Sequence, residues 1–158
     1  MIEFSLLEKS RILLAEKEIQ NLYEKCFDKT LDSVLWRWAF LNNPVGAPVI
    51  ALAKEKGTTV GHYAMTPILF KHYSKEIIAY LSMTTMVHPN FRKEGLFAIL
   101  ANMVYEAAPH RTFVYGFPKS NSTPGFVKRL EWQVDRDYVI AQIEEKETDW
   151  IISNPYYN

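Results

Sequence analysis

The run Val87-His88-Pro89-Asn90-Phe91-Arg92-Lys93-Glu94-Gly95-Leu96-Phe97 carries more structural information than any other part of the chain. A β-prone segment enters it and stops at Pro89. Arg92 and Gly95 follow in a short loop, and apolar residues at helical spacing (Leu96, Ile99, Leu100, Met103, Val104) begin directly behind. The first N–H groups of a helix have no partner inside it, and the macrodipole leaves that end partly positive. Glycine lets an anion come close to the main chain, because no Cβ stands in the way. Strand, R-x-x-G loop and helix start, in that order, can therefore hold a pyrophosphate on backbone amides. Hydrogen bonds to a charged group are worth ~1.5–3 kcal/mol each, against ~0.3–1 kcal/mol for the dipole. The amides would dominate, with the Arg92 and Lys93 side chains assisting.

Upstream, residues 77–87 form a long β-prone run. Residues 49–54 and 58–69 flank Lys56-Gly57, a hairpin turn signature, and a second turn falls at 72–75. Residues 2–7 make a first strand. Ser10 reads as the N-cap of a helix whose apolar face is Ile12, Ala15, Ile19, Leu22 and Cys26. Thr30 or Asp32 starts a second helix with Leu31, Val34, Leu35, Trp38 and Leu41 as its buried stripe, ended by Asn42-Asn43-Pro44. Downstream, Pro109 stops the helix that follows Gly95. Residues 112–117 form a short, nearly all-apolar strand of the kind found inside a sheet. Ser122 or Thr123 caps a fourth helix, with Pro124 in its first turn and Phe126, Val127 and Leu130 on its buried side. Strands are expected at 134–143 and, briefly, at 150–152. The order βααβββαβαβ predicts an α/β (α+β) fold, with helices on the faces of one sheet and a single domain over 1–158.

Lys plus Arg and Asp plus Glu number 18 each, so no basic surplus draws the chain to nucleic acid. The single cysteine, Cys26, cannot form an internal disulfide. No apolar run approaches the ~18 residues that span a bilayer, and Met1-Ile2-Glu3 opens no signal peptide. A soluble, cytoplasmic protein without a membrane partner is expected. His62, His72, His88 and His110 lack the close spacing of metal ligands, so no metal is expected.

With Arg92-x-x-Gly95 set between strand and helix, the chain resembles the GNAT superfamily of N-acetyltransferases over roughly residues 1–143. Two early helices, the hairpin, the strand ending in Val87-x-Pro89, the short apolar strand and Asn121 entering the next helix carry the resemblance. So does the run Phe126-Val127-Lys128-Arg129-Leu130-Glu131-Trp132. The pieces Trp36-Arg37-Trp38 and Asn43-Pro44-x-Gly46 resemble a bacterial branch whose members are often longer. The missing or cramped last strand then leaves open a truncated chain, a last strand supplied by a partner, or a homodimer.

The resemblance implies a GNAT-like mixed, mostly antiparallel sheet with helices on both faces. It implies acetyl-CoA as donor and an amine, on a small molecule or a protein, as acceptor, with direct transfer in a ternary complex. Backbone N–H groups of Arg92, Lys93, Glu94, Gly95, Leu96 and Phe97 would hold the pyrophosphate. Met86 and Val87 would pair with the pantetheine where the long strand leaves its neighbour. Asn121 would contact the cofactor or cap the fourth helix.

Two positions depart from the family pattern. Phe97 stands at a small position of the loop, and Val127 stands where a tyrosine often acts as general acid. Tyr115 could replace that acid, or pack in the core, as could Tyr138. No Asp or Glu lies in 77–87; Thr85, with Thr84 and Ser82, could line a water chain to the amine or satisfy local hydrogen bonds. The His88 imidazole is a candidate base. Trp36 and Arg37 could touch the acceptor or cover the sheet, while Trp38 reads as core. The alternative from another class is an inactive GNAT-fold module that binds CoA or a partner.

Overall fold

The computed structural model describes residues 1–110 and 112–134. The strands expected at 134–143 and 150–152, with Tyr138, lie outside these but for Val134. Five strands pair in chain order: β1 (Ile2–Leu6), β2 (Val49–Glu55), β3 (Thr58–His72), β4 (Lys75–Val87) and β5 (Phe113–Tyr115). The first three junctions are antiparallel and the β4–β5 junction is parallel, giving the expected mixed sheet. At the β2–β3 turn, Lys56 (φ 49) and Gly57 (φ 77) are both left-handed, as a two-residue hairpin requires to match strand twist.

Helices α1 (Ile12–Phe27) and α2 (Ser33–Phe40) cover one face, and α3 (Leu96–Ala107) and α4 (Thr123–Leu130) the other. Strand alternation supplies both cores. Ile50, Leu52, Ala64 and Met86 face α1 and α2, while Ala51, Ala53, Tyr63 and Met65 face α3 and α4. Gly61 lets α3 approach β3, since a Cβ there would lie 2.8 Å from Leu100 Cδ1 and 3.1 Å from Ala53 Cβ. Among the described residues no helix is long and apolar enough to cross a membrane.

Three local expectations need correcting. Ser10 caps nothing: a 3-10 turn, Lys9–Arg11, leads into α1 without a side-chain cap. The α1 stripe holds at Ile12, Ala15, Ile19 and Leu22, with Cys26 only half-buried. The second helix begins as expected at Asp32, whose Oδ1 accepts from the N–H groups of Val34 (2.7 Å) and Leu35 (3.0 Å). It then turns the opposite way from the expected stripe. Trp36, Ala39 and Phe40 are buried, whereas Val34, Leu35 and Trp38 are exposed. Ser33 and Arg37 are its only polar residues, so hydrophobic periodicity cannot orient it. Polar contacts do: Arg37 Nε pairs with the buried Glu16 carboxylate at 2.8 Å, and Gln20 Nε2 donates to Ser33 Oγ at 2.7 Å. The short strand β5 is also less enclosed than its apolar sequence suggests, with Phe113 and the following Phe117 largely exposed.

Candidate functional site

β4 and β5 pair only at Ala79–Phe113, Tyr80–Val114 and Leu81–Tyr115. β4 continues to Val87, so its residues 82–87 have no ladder partner on that side among the described residues. The strands are still close where the ladder ends: a Cβ on Gly116 would sit 3.2 Å from the Ser82 carbonyl oxygen. Beyond that point β4 is irregular. His62 pairs with Met86 and Ala64 with Met83, which leaves one extra residue in β4 at Thr84–Thr85. Thr84 takes a left-handed φ of 50. Such a bulge bends its strand and disrupts the ladder, so the unpaired edge of β4 opens toward the chain that leaves β5.

The strand ends in a 3-10 turn at Pro89–Phe91, anchored by His88 N–H donating to the Val60 carbonyl at 2.8 Å. Arg92 and Glu94 commit their N–H groups to Pro89 and Phe91 carbonyls. The N–H groups of Lys93, Gly95, Leu96 and Phe97 meet no acceptor among the described residues. Gly95 (φ 75) directs the chain into α3, and a Cβ there would meet nothing within 4 Å. Free amides, an open approach and a helix N-terminus thus coincide, which is the requirement for holding a pyrophosphate.

The side chains around this cradle differ in their placement. Arg92 turns back: its Nε donates to the Val87 carbonyl at 3.3 Å, and its guanidinium lies beside the Cys26 thiol. Burial pushes that thiol's pKa up, and the Arg92 charge and hydrogen bond act against the shift. Lys93 and Glu94 are exposed. Phe97 points into the α3–α4 interface, with ring centroids 5.1 Å from Phe126 and 6.0 Å from Tyr63, so its bulk lies with the core and its N–H stays free. Met86 is buried and Val87 half-buried at the end of β4. Asn121 is exposed in the turn before α4; Ser122 holds the N-cap position but makes no side-chain cap bond, contrary to expectation, its Oγ donating instead to the Lys119 carbonyl at 2.9 Å.

The catalytic candidates are scattered. Tyr115 lies in an aromatic row with Phe70 (5.4 Å) and Phe117 (5.9 Å), and burial raises its pKa. His88 caps the 3-10 turn, Nδ1 accepting from Asn90 N–H at 3.3 Å. Ser82 Oγ donates to the Tyr63 hydroxyl at 2.9 Å, within a chain that continues to Tyr105 and Trp132 Nε1. Thr85 is half-buried in the bulge. Trp36 is a correction: only 2% exposed, it belongs to the core and cannot reach an acceptor, while Arg37 is held by Glu16. Among the described residues no three His, Cys, Asp or Glu side chains gather as a metal set. A groove of about 500 Å³ lies between β1, the sheet edge opposite β5, and the loop before α3, lined by Ile2, Phe4, Phe91, Glu94, Leu96 and Ile99.

His62 was not foreseen. It is fully buried facing α2, its Nδ1 lies 2.8 Å from the Thr84 carbonyl oxygen, and its Nε2 meets no partner among the described residues. Burial lowers its pKa to about 4, partly opposed by that hydrogen bond. The only sequence signal was a histidine within the apolar stretch Val60 to Met65 of β3.

No protein-family model and no curated protein sequence matches the chain. Solved structures do. A predicted acetyltransferase from Clostridium acetobutylicum, solved with acetyl-CoA, aligns at TM-score 0.67 and 16% identity over 90% of this chain and 96% of its own. An aminoglycoside 6'-N-acetyltransferase from Acinetobacter baumannii gives 0.66 and 10%, over 91% and 99%. Glucosamine-6-phosphate N-acetyltransferase from Arabidopsis thaliana gives 0.63 and 11%, over 90% and 98%. Identities this low speak for architecture alone, and the mixed, mostly antiparallel sheet flanked by helices fits it. The chain has the fold of the GNAT-superfamily acetyltransferases.

Proposed function

We propose that this chain is an N-acetyltransferase that moves an acetyl group from acetyl-CoA to an amine by direct attack in a ternary complex. The observation that carries this reading is the set of four N–H groups, on Lys93, Gly95, Leu96 and Phe97, unclaimed among the described residues, at the end of a strand whose outer edge is likewise unclaimed among them. The amides would take the pyrophosphate and the β4 edge at Met86 and Val87 the pantetheine. An N–H on that edge would bond the thioester oxygen as charge develops there, a contact worth ~10²–10³ in rate. The amine nitrogen forms its bond to the carbonyl carbon, the carbon–sulfur bond breaks, and the amine's proton passes to water while the thiolate leaves. The aminoglycoside and amino-sugar acceptors named for two fold neighbours favour a small-molecule amine.

One observation favours a second reading, a CoA-binding module without transfer. Residues 82–87 and 116–118, which border the opening, contain no titratable side chain, and Val127 has no proton to give. Calorimetry and turnover separate the cases. Acetyl-CoA should bind the wild type, and Gly95→Glu should weaken it at least about tenfold, since a carboxylate and a strained φ then occupy the cradle. Unchanged binding would place the donor elsewhere. Release of free CoA with any amine of a broad panel supports transfer, and binding without release supports the module.

A further inference from the structure

We propose that His62 is a positioning residue for the donor: its Nδ1–H holds the Thr84 carbonyl in the left-handed bulge and so sets where β4 leaves β5. This rests on the acetyl-CoA reading above. A backbone carbonyl only accepts, so Nδ1 carries the proton in the 2.8 Å contact and Nε2 is bare. The ring is thus one neutral tautomer, and burial keeps it neutral at pH 7. Thr84 needs such a partner. A β-branched residue keeps a φ of 50 only where its surroundings hold it there.

The imidazole is itself locked. Phe40 meets it edge-on at 6.4 Å, Trp36 packs on Phe40 at 5.5 Å, and Met86 is its register partner on β4. The lock connects α2, through His62, to the residues that would pair with the pantetheine. Packing alone does not explain the choice of histidine. Nε2 and Thr84 Oγ1 are both buried with no partner among the described residues, and leucine would fill similar space without stranding a nitrogen. What leucine cannot supply is the donor to Thr84.

The test is acetyl-CoA affinity by calorimetry, with cooperative thermal melting as the check on folding. His62→Leu should weaken binding at least about tenfold, the size expected when a binding edge shifts by a fraction of an ångström. His62→Asn places an amide N–H near the Nδ1 position and should stay within about threefold. Adding Thr84→Gly to His62→Leu should recover most of the affinity, because glycine takes a positive φ unaided. Wild-type affinity in His62→Leu overturns the proposal, as does equal loss in the Leu and Asn variants without glycine rescue. If His62→Leu does not fold, His62→Gln decides: its amide reaches the Nε2 position, so Gln binding as well as Asn overturns the proposal, and Asn binding alone supports it. A wild type that fails to bind acetyl-CoA overturns the donor reading and this proposal with it, a result read on the unmutated chain and so distinct from the others.

Discussion

Burial makes His62 a pH liability as well as a brace. In the unfolded chain the ring protonates near 6.5, and in the fold only near 4, because burial against Phe40 and Met86 desolvates it, an effect the Thr84 carbonyl opposes only in part. Between those values the unfolded state binds the proton more tightly. Stability from this group is therefore fully present above about pH 6.5 and drains away as pH falls toward 4. A shift of this size corresponds to about 3 kcal/mol. Urea denaturation at pH 7 and pH 4.5 should show a smaller acid loss for His62→Gln than for wild type; equal losses would mean that the ring is protonated in the fold. At this scale the chain's own sequence discloses residues whose role is local. Arg92 and Gly95 stand out because loop and helix start are contiguous in sequence. His62 does not, since its partner Thr84 is 22 positions away.

Elements divide the same way. The Lys56-Gly57 hairpin is legible because two left-handed residues in succession nearly specify the turn. The α1 stripe is legible because its apolar residues recur at three- and four-residue spacing, even though Leu13 and Leu14 lie exposed off it. α2 is legible only at its start, where Asp32 takes two N–H groups. Asp32→Ala should cost about 1 kcal/mol in urea denaturation, and no loss would mean that water caps the helix equally well. Its rotation is decided elsewhere, by Glu16 and Gln20 on α1. Trp36 and Trp38 were exchanged between core and surface for that reason, and with Trp36 went a candidate acceptor contact. The β4 bulge escapes the sequence on the same grounds. It exists only in the pairing of β3 with β4, and Met83-Thr84-Thr85-Met86 reads as unbroken strand until that pairing is known.

On the scale of the molecule, the sheet separates two cores that share few side chains, and the β4–α3 junction draws on both. Phe97 enters from the α3–α4 core, Met86 and the His62 brace from the α1–α2 core, and Arg92 ties the end of β4 toward Cys26 on α1. A donor seated there would restrain both halves, so its binding free energy should appear in the global unfolding transition. A ligand at 100 times its Kd adds about 2.7 kcal/mol to stability, and a chain of this size gains roughly 2–4 °C per kcal/mol. Acetyl-CoA at that excess should raise the wild-type Tm by about 5–10 °C. Gly95→Glu should melt close to the wild type without ligand, lowered only by the strain of its φ, because nothing lies within 4 Å of the new Cβ. With acetyl-CoA it should show little or no rise. A Gly95→Glu chain that gains as many degrees as the wild type would move the donor away from the α3 N-terminus, and the amides of Lys93, Gly95, Leu96 and Phe97 would then be ordinary solvated helix-end groups.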